Sequence, residues 1–479
     1  MCAEKLKNMR ESNLIEWYNE VVLNAEVADF SEAKGFTVYR PYGYAMWEVL
    51  EEYLDVKFKA KGVKNTYFPL LIPEYLLKKE ASHIKGFAPE VAWVTKGGDR
   101  DLDVKLAVRP TSETIMYDSY SRWVKSYRDL PILLNQWNTV VRWETKETRL
   151  FLRGREVLWQ EGHCAFADNK SAEENTLDML NIYKGAMEEL LAVPVLVGRK
   201  SEAEKFAGAV ATYTVETVLS NNFASQAATS HNLGQNFSKA FEIKFIDNNN
   251  QWNYVYQTSW GMSMRALGIM FLVHGDNKGL ILPPRIAPIQ VVAIPILNGK
   301  DDKMILKYAN DVVSAIKSDG IRCELDSREG YTPGWKFNEY ELKGVPIRLE
   351  IGIKEASAAK VSVKKRNEKE KTTLELKNIK MLKVALDEMQ ANMLKEARKS
   401  MESRIIIEKD TKNVISILKS AGAIVKTSWC GTEKCEETIK EKTGATSRVI
   451  PLENEKLISD KCTFCGDDAK YNAYFGQSY

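Results

Sequence analysis

Apolar positions along the 479-residue chain fall into three regimes. From residue 1 to about 285, short aromatic-rich runs that suit strands alternate with stretches of helical spacing. This regime closes on Leu282-Pro283-Pro284-Arg285-Ile286-Ala287-Pro288, where prolines fix φ and remove N–H donors, so a linker and a domain boundary are expected there. From Gln290 the pattern turns to strand, helix, strand: a strand at 291–297, a helix near 303–318, a strand at 321–325, and further strands at 347–353 and 360–363. The charged stretch 364–371 reads as a solvated turn. Leu382, Leu386, Met389, Met393 and Ala397 then recur on one face of a helix, expected to pack against the unit that follows; docking a partner is the other use of such a stripe. These breaks divide the chain at 1–285, 286–380 and 381–479.

Charge narrows the class of protein. Lys plus Arg number 68 against 65 for Asp plus Glu, a net +3 that is too balanced for chain-wide nucleic-acid binding, so any such surface must be local. No run approaches the ~20 apolar residues of a membrane span, and the charged N-terminus lacks a secretory core. A cytoplasmic, multidomain protein without membrane association is expected. Of seven cysteines, Cys2, Cys164 and Cys323 are scattered, while Cys430-x4-Cys435 and Cys462-x2-Cys465 are paired. That spacing suits a closed, structural Zn²⁺ site of four thiolates; four ordinary buried thiols are the alternative.

The remaining chemistry sits in three constellations of the first regime. Lys61-Gly62-Val63 followed by Phe68-Pro69-Leu70-Leu71 reads as a helix end entering a strand, whose proline needs an edge or a terminus. Val141-Arg142-Trp143-Glu144, resuming at Phe151-Leu152-Arg153-Gly154-Arg155-Glu156 and Trp159-Gln160-Glu161-Gly162-His163, reads as two strands joined by a loop. Arg142 and Arg153 facing one cleft would clamp an anion, because the guanidinium stays charged and donates bidentately; a salt-bridged hairpin is the plainer reading. Trp260-Gly261-Met262-Ser263-Met264-Arg265 leads into a helix, placing an arginine where the dipole already favours phosphate.

Taken in order, the three blocks resemble the signature motifs of class II aminoacyl-tRNA synthetases. The text between them is similar to the prolyl-tRNA synthetase family: Arg109-Pro110-Thr111-Ser112-Glu113-Thr114, Phe206-Ala207-Gly208-Ala209, Gln226-Ala227-Ala228-Thr229-Ser230-His231, Pro333-Gly334-Trp335-Lys336-Phe337, Lys343-Gly344-Val345-Pro346-Ile347-Arg348, the four paired cysteines and the terminal Ser478-Tyr479. The likeness is to the form with a C-terminal zinc domain. It implies an α/β (α+β) fold: an antiparallel sheet with flanking helices, then an α/β anticodon-binding domain, then a small zinc-binding domain. It also implies a homodimer with Pro69 near the twofold, and ligation of proline to tRNA(Pro) through a prolyl-adenylate, using ATP with Mg²⁺.

By the same resemblance, Arg142, Glu144 and Arg265 carry the chemistry. Arg142, Glu144, Arg153, Gly154, Gln226, Thr229 and Arg265 face ATP. Thr111, Glu113, Arg142, Trp159, Glu161, His163, Phe206, His231 and Ser263 face proline, and Lys336, Glu341 and Arg348 read the anticodon. Taken singly, an aromatic such as Phe206 is core and a histidine such as His163 a satisfied structural group. Two absences are informative: no Cys-His-His set lies in the motifs, and 161–258 is too short for the inserted editing domain of the common bacterial prolyl enzymes. The competing readings are a synthetase for another small amino acid, a non-catalytic paralogue, and a zinc-anchored nucleic-acid-binding protein.

Overall fold

The computed structural model describes residues 3–83, 90–420 and 422–478. Its centre is an eleven-stranded sheet in the order Ile405–Ile407, Ile424–Trp429, Tyr471–Gly476, Thr446–Pro451, Leu196–Arg199, Ala211–Val218, Ala224–Gly234, Tyr256–Ser263, Glu156–Phe166, Ile132–Val141 and Lys64–Asn65. Pairing is antiparallel except at the outermost pair of each edge, which is parallel. Helices Pro41–Ala60, Asn169–Gly185 and Arg265–His274 contribute to the core on one face, with Trp17, Phe58 and Trp260 at its centre. Gly162 makes room for that packing, since a Cβ there would lie 2.1 Å from the Trp260 ring. The strands' other face carries the site beside a second core cluster, in which helices Glu113–Trp123 and Asn236–Phe241 pack on Ala165 and Leu233.

Two expectations about the motifs change. The second strand of the hairpin begins at Glu156 rather than near Phe151, because Phe151 takes φ of 61° and Arg149 N donates to Arg153 O at 2.6 Å, closing a turn that extended backbone cannot make. Pro69 lies between the strands Lys64–Asn65 and Leu71–Pro73 and belongs to neither, a place where its missing N–H breaks no ladder.

The second unit is a five-stranded sheet ordered Cys323–Leu325, Val291–Pro295, Ile347–Ile351, Lys360–Lys365, Lys371–Glu375, parallel across the first three and antiparallel beyond. Helix Asp302–Ser318 buries Ile305, Ala309, Val312 and Ile316 against it. The strand expected to reach 353 stops at Ile351, since the Glu355 carboxylate accepts the Gly352 N–H at 3.0 Å and starts the helix Ile353–Ser357. Of the stretch 364–371, Lys364, Lys365 and Lys371 belong to strands, and only 366–370 turn.

Helix Met381–Glu402 buries Leu382, Leu386, Met389 and Met393 of the expected stripe and leaves Ala397 half-buried, and these four pack against the other two units instead of the cysteine-bearing one. Leu382 and Leu386 complete the core of the five-stranded unit, Met389 and Met393 pack with Ala192 beside Ile281, and Met401 meets Val218, Ala224 and Ile424. The short connection from strand Lys371–Glu375 keeps the first turns on their own sheet, so a cut at 380 divides a packed core. The cysteine-bearing strands in turn extend the central sheet instead of standing apart.

Candidate active site and metal centre

Strand register assembles the site. Thr212, His231, Ser259 and His163 form one row across four strands; Thr214, Thr229, Gly261, Glu161 and Gln136 form the next; Ser263, Trp159 and Asn138 form a third. Above them opens a cleft of 680 Å³ whose lining includes all fifteen residues that sequence reasoning assigned to the first unit: Thr111, Glu113, Arg142, Glu144, Arg153, Gly154, Trp159, Glu161, His163, Phe206, Gln226, Thr229, His231, Ser263 and Arg265. Residues separated by more than 150 positions thus share one wall, because a period-two strand sends every second side chain to the same face.

One end is cationic. Arg142 Nε donates to Pro110 O at 3.3 Å, with its guanidinium 5.1 Å from the Trp159 ring, and Arg265 Nε donates to Leu152 O at 3.0 Å. These partners are carbonyls, and neither guanidinium has an ion-pair partner among the described residues. Burial, and then the like charges of Arg142 and Arg153, pull Arg265 down to about 10. A group so placed gains from an anion.

The other end is a buried acid–histidine cluster. Glu161 accepts from Ser112 N at 3.1 Å, Asn138 Nδ2 at 2.7 Å and Ser112 Oγ, pairs with His163 Nε2 at 3.1 Å, and lies 3.3 Å from Thr111 Oγ1. Burial resists its charge, but His163, Ser112 and Asn138 outweigh that and hold the carboxyl down at about 2. Burial likewise opposes protonation of His163, yet Glu113 and Glu161 raise its pKa. Tyr117 OH stands 3.1 Å from Nδ1 of that ring, and the Thr111 hydroxyl donates to Glu113. His231 differs: burial holds it at about 3, so it is neutral at pH 7, with Nδ1 2.9 Å from Thr212 Oγ1 and its ring 4.8 Å from Phe206.

Sequence reasoning missed the residues that hold this cluster in place. Buried Arg109 donates to Phe68 O and to Thr139 O, both at 2.8 Å, fixing the segment that presents Thr111 and Glu113. Gln136 and Asn138 reach Glu161 from the neighbouring strand. Polar residues at alternate positions of an otherwise apolar strand were the available signal.

The four cysteines converge. Cys435 and Cys462 sulfurs lie 3.8 Å apart, Cys430 and Cys465 sulfurs 3.6 Å, and all four within 4.8 Å of one another. Tetrahedral Zn–S bonds of about 2.3 Å would set the sulfurs about 3.8 Å apart, so the donor set fits zinc.

In the five-stranded unit, Glu341 and Arg348 share a small pocket with Tyr340, Lys364 and Arg366. Arg348 pairs with Glu350 at 2.8 Å and lies 4.2 Å from the Phe337 ring; Glu341 pairs with Lys278 at 2.8 Å. Lys336 is placed differently. Its buried ammonium donates to Asp326 O at 3.0 Å and lies 3.4 Å from Asp326 Oδ1, which takes it out of reach of a base.

Residues 93–274 match the tRNA synthetase class II core domain (G, H, P, S and T), and residues 290–384 an anticodon binding domain. Sheet, motifs and cleft therefore define a class II aminoacyl-tRNA synthetase. Residues 411–479 match the C-terminal domain of prolyl-tRNA synthetase. The chain is 48% identical over 470 residues to a proline--tRNA ligase of Alkaliphilus oremlandii, spanning 98% of this chain and 97% of that protein. It is 48% identical over 478 residues to a proline--tRNA ligase of Ruminiclostridium cellulolyticum, spanning 100% and 98%. The crystal structure of prolyl-tRNA synthetase from Cryptosporidium parvum complexed with halofuginone and AMPPNP superposes with a TM-score of 0.93 at 40% identity, covering 98% of this chain and 96% of that one. The chain belongs to the prolyl-tRNA synthetase family.

Proposed function

We infer that this chain joins L-proline to tRNA(Pro) in two steps: proline and ATP give prolyl-adenylate and pyrophosphate, then the terminal adenosine hydroxyl of the tRNA takes the prolyl group and AMP leaves. The observation that carries the reading is a single cleft with arginines at one end and a buried acid–histidine cluster at the other. Adenylation brings two anions together while negative charge builds in line, which preorganised cations offset. Arg142 is assigned to bridge the proline carboxylate and the α-phosphate, Arg153 and Gly154 to border the nucleotide, Glu144 to hold the adenine or its phosphates, and Arg265 to reach the far phosphates. ATP brings Mg²⁺, which adds charge neutralisation there; Glu144, Gln226 and Thr229 offer the oxygen donors such an ion takes.

Proline is a secondary ammonium on a small ring. Thr111 and Glu113 are assigned to accept its N–H groups, with Glu161 and His163 beside them, and Trp159, Phe206, His231 and Ser263 to enclose the ring; all line the one cleft. Glu341 and Arg348 are assigned to unstacked anticodon bases. The cysteine quartet holds structural zinc. Around Pro69, Tyr67 and Leu70 are 72% and 40% exposed, an apolar face for the twofold of a homodimer. Among the described residues no helix is long and apolar enough to cross a membrane, in keeping with a cytoplasmic site of action. Residues 167–255 are taken up by core helices and strands, so misacylated alanyl-tRNA is left for another protein to clear.

The test is amino-acid-dependent pyrophosphate exchange. Proline should support it far better than glycine, serine or threonine; preference for one of those would move the chain to another member of the class, and no exchange would favour the non-catalytic paralogue.

A further inference from the structure

Strand Thr446–Pro451 of the C-terminal unit pairs with Leu196–Arg199, placing Ile450 opposite Arg199 and Pro451 opposite Gly198. The approach is close: a Cβ on Gly198 would stand 2.2 Å from Ile450 O. Farther along the seam Ala224 N donates to Gln477 O at 3.0 Å. Between the two units Glu216, 1% exposed, accepts from Arg448 Nε at 2.9 Å and from Lys200 Nζ. Arg448 comes from the C-terminal unit, Glu216 and Lys200 from the catalytic one. Burial resists the Glu216 charge, but Lys200 and Arg448 outweigh it and hold the carboxyl below its ordinary range.

Lys200 is the last residue before the turn that forms one wall of the cleft. Its N–H donates to Thr212 O at 2.8 Å, and at the far side of the turn Phe206 N donates to Thr212 Oγ1 at 2.9 Å. Ser201 O accepts from Lys205 N at 3.0 Å, which makes the intervening residues one tight loop. Glu204, Phe206 and Ala207 from this loop line the cleft, and Thr212 lies on the same strand as Glu216. The loop therefore has three attachments: Thr212 at each end, and the Lys200 ammonium that meets Arg448 across one carboxylate.

We propose that Arg448 is a positioning residue for proline binding, which through Glu216 and Lys200 sets the loop at 201–208 and with it the Phe206 wall of the pocket. The inference rests on the assignment of Phe206 to the proline ring. It gives the C-terminal unit a share in amino-acid affinity from outside the cleft.

Pyrophosphate exchange by the full-length enzyme separates the outcomes. Arg448→Met should raise the KM for proline about tenfold while leaving that for ATP within about twofold, less than the ~100-fold a displaced positioning group can cost. Arg448→Lys, which keeps the charge and loses the fork, should restore about half of that loss on a logarithmic scale. Phe206→Ala is the control for the pocket itself and should also raise the proline KM. If Phe206→Ala does so and Arg448→Met leaves the proline KM unchanged, or raises both KM values equally, the positioning role is overturned and the pocket assignment stands. If Phe206→Ala leaves the proline KM unchanged, the pocket assignment fails and the inference with it. Should Arg448→Met not fold, Arg448→Lys decides alone: a proline KM raised about threefold with ATP unaffected supports the role, and an unaltered proline KM overturns it.

Discussion

Replacing Glu161 by glutamine keeps the side chain's size and removes one oxygen, and the structure indicates what that costs. On one carboxylate oxygen converge Ser112 Oγ, Asn138 Nδ2 and Gln136 Nε2; on the other, Thr111 Oγ1, Ser112 N and His163 Nε2. Either orientation of the amide turns its NH₂ toward donors. Hydroxyls can rotate and His163 can lose its proton, but Asn138 Nδ2 or Ser112 N is then left facing a donor while buried. One such orphan costs about 1–3 kcal/mol, and the lost charge-assisted bond to His163 about 1.5–3 kcal/mol more, part of it recovered by relaxation. A net destabilisation of about 2–4 kcal/mol follows. Because Thr111 and Glu113 orient against this carboxylate, the proline KM should rise about tenfold, an effect of about 1.4 kcal/mol on binding. Urea unfolding and pyrophosphate exchange with proline varied at saturating ATP measure the two effects. A Glu161→Gln enzyme as stable as wild type and with an unchanged proline KM would refute the reasoning.

Arg142→Ala should lower adenylate formation by about two orders of magnitude, the scale of losing a preorganised charge donor, and near wild-type exchange would remove it from the assigned role. The purified protein should contain about one equivalent of zinc, and Cys462→Ser should destabilise the C-terminal unit more than it slows adenylation; metal analysis finding none would contradict the site. Arg348→Ala should weaken tRNA aminoacylation and spare tRNA-independent exchange, whereas equal damage to both would point to misfolding. His231, held at about 3 against an ordinary 6.5, stays neutral in the fold while its unfolded counterpart takes up a proton, so stability should fall as pH drops from 6.5 toward 3. His231→Gln should flatten that slope in urea midpoints measured between pH 7 and pH 5, and an identical slope would exclude the residue as its source.

What the sequence made legible is what local pattern encodes. The helix at Asp302–Ser318 and the strand starting at Val291 follow from apolar periodicity, and the cysteine spacing names its own geometry. The cleft residues were found by resemblance, since nothing local announces that His163 and His231 fall in one row across the sheet; register does that, and register is a long-range property. Three features escaped for the same reason. Arg109 and Asn138 act by reaching another segment, Lys336 is withdrawn by an Asp326 ten positions away, and the strand Leu196–Arg199 gives no sign of the partner it takes from residue 446 onward.

Helix Met381–Glu402 touches the five-stranded unit near its start, the catalytic unit in its middle and the sheet seam near its end. At about 1.5 Å per residue it is a rod about 33 Å long. Such a rod works as a gauge block: it sets the span between the face assigned to the anticodon and the cleft, so a tRNA must conform to a fixed interval. It also fixes angle. Deleting a single residue from its middle would turn everything beyond by about 100° and carry Met401 off its seat, whereas inserting four would nearly restore the phase and lengthen the gauge by about 6 Å.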